Sequence, residues 1–155
     1  MKRNTFFKFF LLAGFVFLLL NSCNKSSDST VSDPDYPQLL GTWKGTTSQN
    51  QAIQLGIINF NGALWVSTYK YKVINPDSVE QIQIYDVSSS TTVANVYNKS
   101  FVFRPYGGYS YYDYLKGTFD VTAMKLTGRF NTSFLNESGT ATDSVVGTFT
   151  ATKVQ

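Results

Sequence analysis

No histidine occurs among the 155 residues, and there is a single cysteine, Cys23. Those two shortages remove most catalytic vocabulary, because Ser-His, Cys-His and His-metal constellations need an imidazole, and a disulfide or thiolate metal site needs a second thiol. Charged residues make up only 15% of the chain, and the acidic ones form no pair that spacing singles out as facing across a cleft. Asp77 with Glu80, and Asp33 with Asp35, stand in turn-like or linker-like sequence, where solvated charge is the ordinary role. No enzymatic activity, metal or cofactor is therefore expected. A glycine-rich phosphate loop, EF-hand spacing and a basic stripe are also missing, so nucleic acid is not an expected partner. The longest apolar run, Phe9 to Leu20, has 12 residues, short of the ~20 that a membrane-crossing helix needs. No stretch of the remainder shows helical apolar spacing.

What is present begins with Lys2, Arg3 and Lys8 ahead of that apolar run, the pattern of a secretory signal over residues 1–22. The run closes on Leu20-Asn21-Ser22-Cys23, which resembles the lipobox of bacterial lipoproteins. The resemblance implies that Cys23 becomes the first residue of the mature chain and carries lipid. It further implies a place in the bacterial cell envelope, on the outer membrane, with the membrane as a partner through Cys23. The formal net charge of +3 belongs to the signal: thirteen basic residues less these three leave ten, against ten acidic ones. Asn24 to Asp35 holds one apolar residue, Val31, and reads together with Cys23 as a flexible tether over 23–35.

Residues 36–155 read as one all-β domain, rich in Thr, Val, Ile, Tyr and Phe. Turns are expected at 48–51, Asn61-Gly62, Asn75 to Asp77, Ser88 to Ser90, Pro105 to Gly108, Thr122-Ala123 and Asn136 to Thr140. They divide the domain into eight strands, expected to form an antiparallel up-and-down barrel whose closure removes both exposed edges. Alternation supports a sheet with one buried face: Leu126, Gly128, Phe130 and Phe134 interleave with Lys125, Thr127, Arg129 and Ser133. A short repeat runs through the strands as Gly41-Thr42-Trp43, Gly117-Thr118-Phe119, Gly128-Arg129-Phe130 and Gly147-Thr148-Phe149. It places a glycine and an aromatic on one inward face, as packing of a ring over bare backbone requires.

Gly41-Thr42-Trp43 in the first strand resembles the G-x-W signature of lipocalins, and Gly147 to Lys153 resembles the last strand of lipocalin-like bacterial lipoproteins. Lipocalins set an arginine of the last strand against that tryptophan; the nearest basic residue here is Lys153. The resemblance implies a cup-shaped barrel that holds a small apolar molecule. Carried along the strands, inward parity gives Trp43, Trp65, Tyr69, Tyr71, Ile82, Ile84, Phe119, Phe130 and Phe149 as lumen-facing. The same list describes a hollow barrel and a filled one, and the pattern leaves both open.

The segment RPYGGYSYYDYLKGTF, residues 104–119, is the densest in tyrosine. Registered on Gly117 and Phe119, it places Tyr109, Tyr111 and Asp113 inward at the barrel mouth, as candidate ligand contacts. Tyr112 and Tyr114 fall outside and Tyr106 in the turn, where they would form a contact patch for a glycan or a protein. Two functions are thus expected to compete: a small hydrophobic ligand in the lumen, or a tethered module that binds a surface partner. A structural envelope lipoprotein without ligand is the third, and the sequence leaves the oligomeric state open.

Overall fold

The computed structural model describes residues 36–88 and 92–155. Cys23, the signal, the tether through Asp35, and the Ser89 and Ser90 part of one expected turn lie outside the described residues.

Among the described residues, a 3-10 turn, Pro37–Leu39, leads into nine strands. These are β1 (Gly41–Thr47), β2 (Ala52–Phe60), β3 (Ala63–Asn75), β4 (Ser78–Val87), β5 (Ala94–Asn95), β6 (Ser100–Phe103), β7 (Tyr114–Asp120), β8 (Lys125–Leu135) and β9 (Ala141–Lys153). All pairings are antiparallel, and the path runs β4-β3-β2-β1-β9-β8-β7-β6, with β5 on β3. The first and last strands are thus neighbours at the centre of one sheet. The ladder stops at β4 on one side and at β6 on the other, so the sheet curls into an open half-barrel.

Local chemistry accounts for most of the elements. Asn61 and Gly62, at φ 52° and 78°, make the two-residue turn that suits the twist of a hairpin. The expected fifth strand breaks in two, because Asn98 and Lys99 also take positive φ, 47° and 62°, and turn Tyr97 back onto Ser100. Nothing but the asparagine signals that turn. The expected sixth strand begins later than parity suggested: residues 104–113 are loop, and β7 starts at Tyr114.

The Gly-aromatic repeat is a packing device. Gly117 is the cross-strand partner of Phe101, Gly128 of Phe149, and Gly147 of Phe130. A Cβ on Gly117 would sit 2.7 Å from the Phe101 Cζ, and one on Gly128 or Gly147 would overlap the ring of its partner. Each ring therefore lies on bare backbone of the next strand, and only glycine leaves room for it.

The rings fill the concave side. Trp43 meets Phe119 edge-on at 4.9 Å, Tyr69 meets Phe103 at 4.9 Å, and Tyr71 stacks on Tyr85 at 4.6 Å. Phe101 links Phe103 and Phe119, and Tyr71 reaches Phe130. Trp43, Leu55, Val66, Leu115, Leu126 and Phe130 are 0% exposed, so no water-sized space opens against them from outside or within. At one end the Trp43 indole N–H donates to the Leu39 carbonyl at 2.9 Å. Lys153, the register partner of Trp43, donates from its ammonium to the Gln38 carbonyl at 2.8 Å. The basic residue of the last strand therefore clamps the entry turn of the chain.

Three inward assignments are corrected by register. Trp65 does not share a face with Tyr69 and Tyr71, because a bulge opposite Gly56 and Ile57 inserts Ser67 and inverts the parity of β3. Leu64 and Val66 are buried before the bulge, Tyr69, Tyr71 and Val73 after it, and Trp65 turns outward. Ile82 and Ile84 also face out. β4 pairs Tyr71 with Tyr85 and Val73 with Gln83, so those residues take the inner face and leave Ile84 62% exposed.

Candidate functional site

The tyrosine segment forms a pinned loop at the end of the sheet opposite the 3-10 turn. Its base is Asp113, buried although it carries a carboxylate. Asp113 Oδ1 accepts from the Ser133 backbone N–H at 2.9 Å and from the Ser133 hydroxyl at 2.7 Å, while Oδ2 accepts from the Ser110 N–H at 3.2 Å. Such charge-assisted bonds are the strong ones, and here they fasten the loop to β8. Further ties surround it. The Tyr106 N–H donates to the Tyr69 hydroxyl at 2.6 Å, Asn131 donates to the Tyr112 carbonyl at 3.1 Å, and Gln83 donates to the Gly107 carbonyl at 3.3 Å.

Asp113 is therefore turned inward by its bonds to Ser133 and Ser110 and not by strand parity, and it closes the mouth with protein partners. Its two tyrosine neighbours do not follow. Tyr111 is 85% exposed and Tyr109 is also exposed, because residues 104–113 are loop and strand alternation does not apply to them. Tyr106 at 87% and Tyr112 at 77% are exposed as well, so four tyrosines of one anchored loop face solvent. Tyr111 and Tyr112 stand edge-on at 6.1 Å, and Tyr114, half-buried at the start of β7, lies under the Lys116 ammonium.

Behind the loop is a polar pocket of core. Tyr71 and Tyr85 hydroxyls and Thr132 Oγ1 are buried without a well-aligned hydrogen-bond partner. Burial pushes Tyr85 up to about 12, moderated by the nearby Thr132 hydroxyl, and raises Tyr71 more strongly. Tyr69 is also raised by burial, and its bond from the Tyr106 N–H works against the shift. The other interior candidates, Trp43, Phe130 and Phe149, are buried as well.

Sequence reasoning missed the second surface. An open groove of about 1020 Å³ runs over the outer face of β6 to β9. It is lined by Trp65, Asn95 and Tyr97, and by the outward side chains Val102, Lys116, Thr118, Thr127, Arg129, Thr148 and Thr150. Register explains the rows: Ser100, Thr118, Thr127 and Thr150 are successive cross-strand partners, as are Val102, Lys116, Arg129 and Thr148. The next row toward the loop holds Tyr114 and Asn131, so the groove leads to the tyrosines. The alternation of Thr and charged residues was visible, but the bulge that adds Trp65 was not.

Comparisons of the chain with protein-family models, with curated proteins and with solved structures return no match.

Proposed function

We propose that the chain is a lipid-anchored envelope module that holds a polysaccharide on its outer face, at the tyrosine loop and the groove beside it. The observation that carries this reading is the loop itself. Four exposed tyrosines ride on a loop whose backbone is pinned by Asp113, Tyr69, Gln83 and Asn131, so less backbone freedom is left to lose when the rings engage a partner. Tyrosine rings offer an apolar face to the C–H side of a sugar and a hydroxyl to its polar edge. Trp65, Tyr97 and the threonine row extend the same chemistry along the groove.

The lumen reading has less to stand on. A small apolar ligand inside a closed, lipocalin-like barrel would have to displace Trp43, Tyr71 or Phe130, which already fill the concave side. In the proposal Cys23 supplies the anchor to the outer membrane and residues 24–35 the reach. No helix among the described residues is long and apolar enough to cross a membrane.

The test is retention of the full chain on immobilised polysaccharides, comparing native protein with a Tyr111→Ala, Tyr112→Ala variant. A roughly ten-fold or greater loss of affinity is expected for two exposed anchors, with the unfolding midpoint unchanged. Equal retention of both proteins, or tryptophan quenching by fatty acids without any glycan binding, refutes the surface reading. Loss of membrane partitioning and of lipid label in Cys23→Ser tests the anchor.

A further inference from the structure

We infer that the groove selects an acidic polysaccharide, one whose repeating units carry carboxylates, and that Lys116 and Arg129 are its charge contacts. The inference rests on the glycan reading above and narrows it to a substrate class.

Lys116 on β7 and Arg129 on β8 are direct cross-strand partners on the outer face, both exposed. Like charges placed opposite one another across two strands destabilise a sheet. The usual remedy is an interleaved carboxylate, and here there is none: no acidic residue lines the groove, and neither cation forms an ion pair among the described residues. The contrast within the same sheet is direct, since Lys70 on β3 has Asp86 of β4 as its register partner and bonds to it. Lys116 is further held in place by the Tyr114 ring, 5.3 Å from its ammonium. The fold therefore keeps two cations side by side at the exit of the groove toward the tyrosine loop.

An occupant with anionic groups offsets that repulsion, and the guanidinium of Arg129 offers a planar fork that matches a carboxylate. The rest of the lining decides which anion. Rings of Trp65 and Tyr97 and hydroxyls of Thr118, Thr127 and Thr150 provide stacking and hydrogen bonding along the groove. That combination fits a chain of sugar rings bearing carboxylates, such as a polyuronate, better than it fits a bare phosphate or a bilayer of anionic headgroups.

The experiment is calorimetric titration of the detergent-solubilised full chain with oligogalacturonate and with a neutral glucan of the same length. The proteins compared are native, Lys116→Gln with Arg129→Gln, and Lys44→Gln as an exposed lysine elsewhere on the sheet. Native protein is expected to prefer the uronate by roughly ten-fold or more, with binding weakened by salt. The double variant loses that preference while Lys44→Gln keeps it. Three results overturn the inference. If the neutral glucan binds as well as the uronate, or the double variant keeps the preference, the charge assignment falls while the glycan reading survives. If neither saccharide binds native protein, both fall together. If single-stranded DNA competes with equal strength through the same two residues, the groove is a general polyanion site and the saccharide class is refuted.

Discussion

At the scale of single residues, Asp113 organises the candidate site. It is a buried carboxylate in a chain with few charges, and it accepts three bonds from two serines on different elements. Asp113→Ala strands the Ser133 N–H and hydroxyl in the interior, which is expected to cost about 2–3 kcal/mol. Denaturant unfolding measures that cost, and limited proteolysis within 104–113 should accelerate with it. The tyrosines behind the loop set the alkaline limit. Tyr69, Tyr71 and Tyr85 hold their protons more tightly folded than unfolded, where tyrosine ionises near 10. Their contribution to stability is full below that value and is lost as pH climbs through the range toward the folded value of Tyr85, about 12. An absorbance titration should thus show a late group of tyrosinates appearing together with loss of near-ultraviolet circular dichroism. Early ionisation of every tyrosine with the fold intact would contradict the burial.

At the scale of elements, pairing decided what composition did not. The glycine-aromatic repeat was legible in the chain because it puts a glycine and a ring on the same inward face, and the cross-strand partners prove to be Gly128 with Phe149 and Phe130 with Gly147. Gly147→Ala drives a methyl into the ring of Phe130, which is fully buried. A loss of about 1–3 kcal/mol is expected from such overpacking, read as a lowered unfolding midpoint. The inward face of β8 followed simple alternation from Leu126 to Phe130 but not at its end, where Ser133, expected on the wet face, is buried because its hydroxyl donates to the Asp113 carboxylate. β3 did not follow it either, since one inserted serine turned Trp65 from a core residue into a groove residue. Nor did β4, where Ile82 and Ile84 are the more hydrophobic set and yet face out, because register to β3 assigns the inside to Tyr85 and Gln83. Hydropathy ranks residues one at a time; a ladder places whole alternating sets at once.

At the scale of the molecule, the termini of the domain meet in the middle of the sheet. β9 is held by β1 on one side and β8 on the other, and its partner β1 lies a whole domain away in sequence. Such non-local pairing makes folding slow, on the order of milliseconds to seconds. Truncation at Asn136 should accordingly abolish the fold outright and leave no partly stable sheet, checked by circular dichroism and exchange protection of the shortened chain. The same pairing places the tyrosine loop at one end of the curled sheet and the Pro37–Leu39 turn at the other.

Composition and alternation by themselves determined that the domain is all-β, that one face of the sheet is buried, and that glycines would sit beneath rings, since these are consequences of local period and side-chain volume. The turn at Asn61-Gly62 was equally local, because two left-handed residues suffice to make it. Only the tertiary structure decided that the concave side is filled, that Asp113 plugs the mouth, and that Tyr106, Tyr109, Tyr111 and Tyr112 project outward. Those outcomes depend on where a bulge falls, where a strand ends, and which distant serine receives a carboxylate, and each of these is settled by partners far away in the chain.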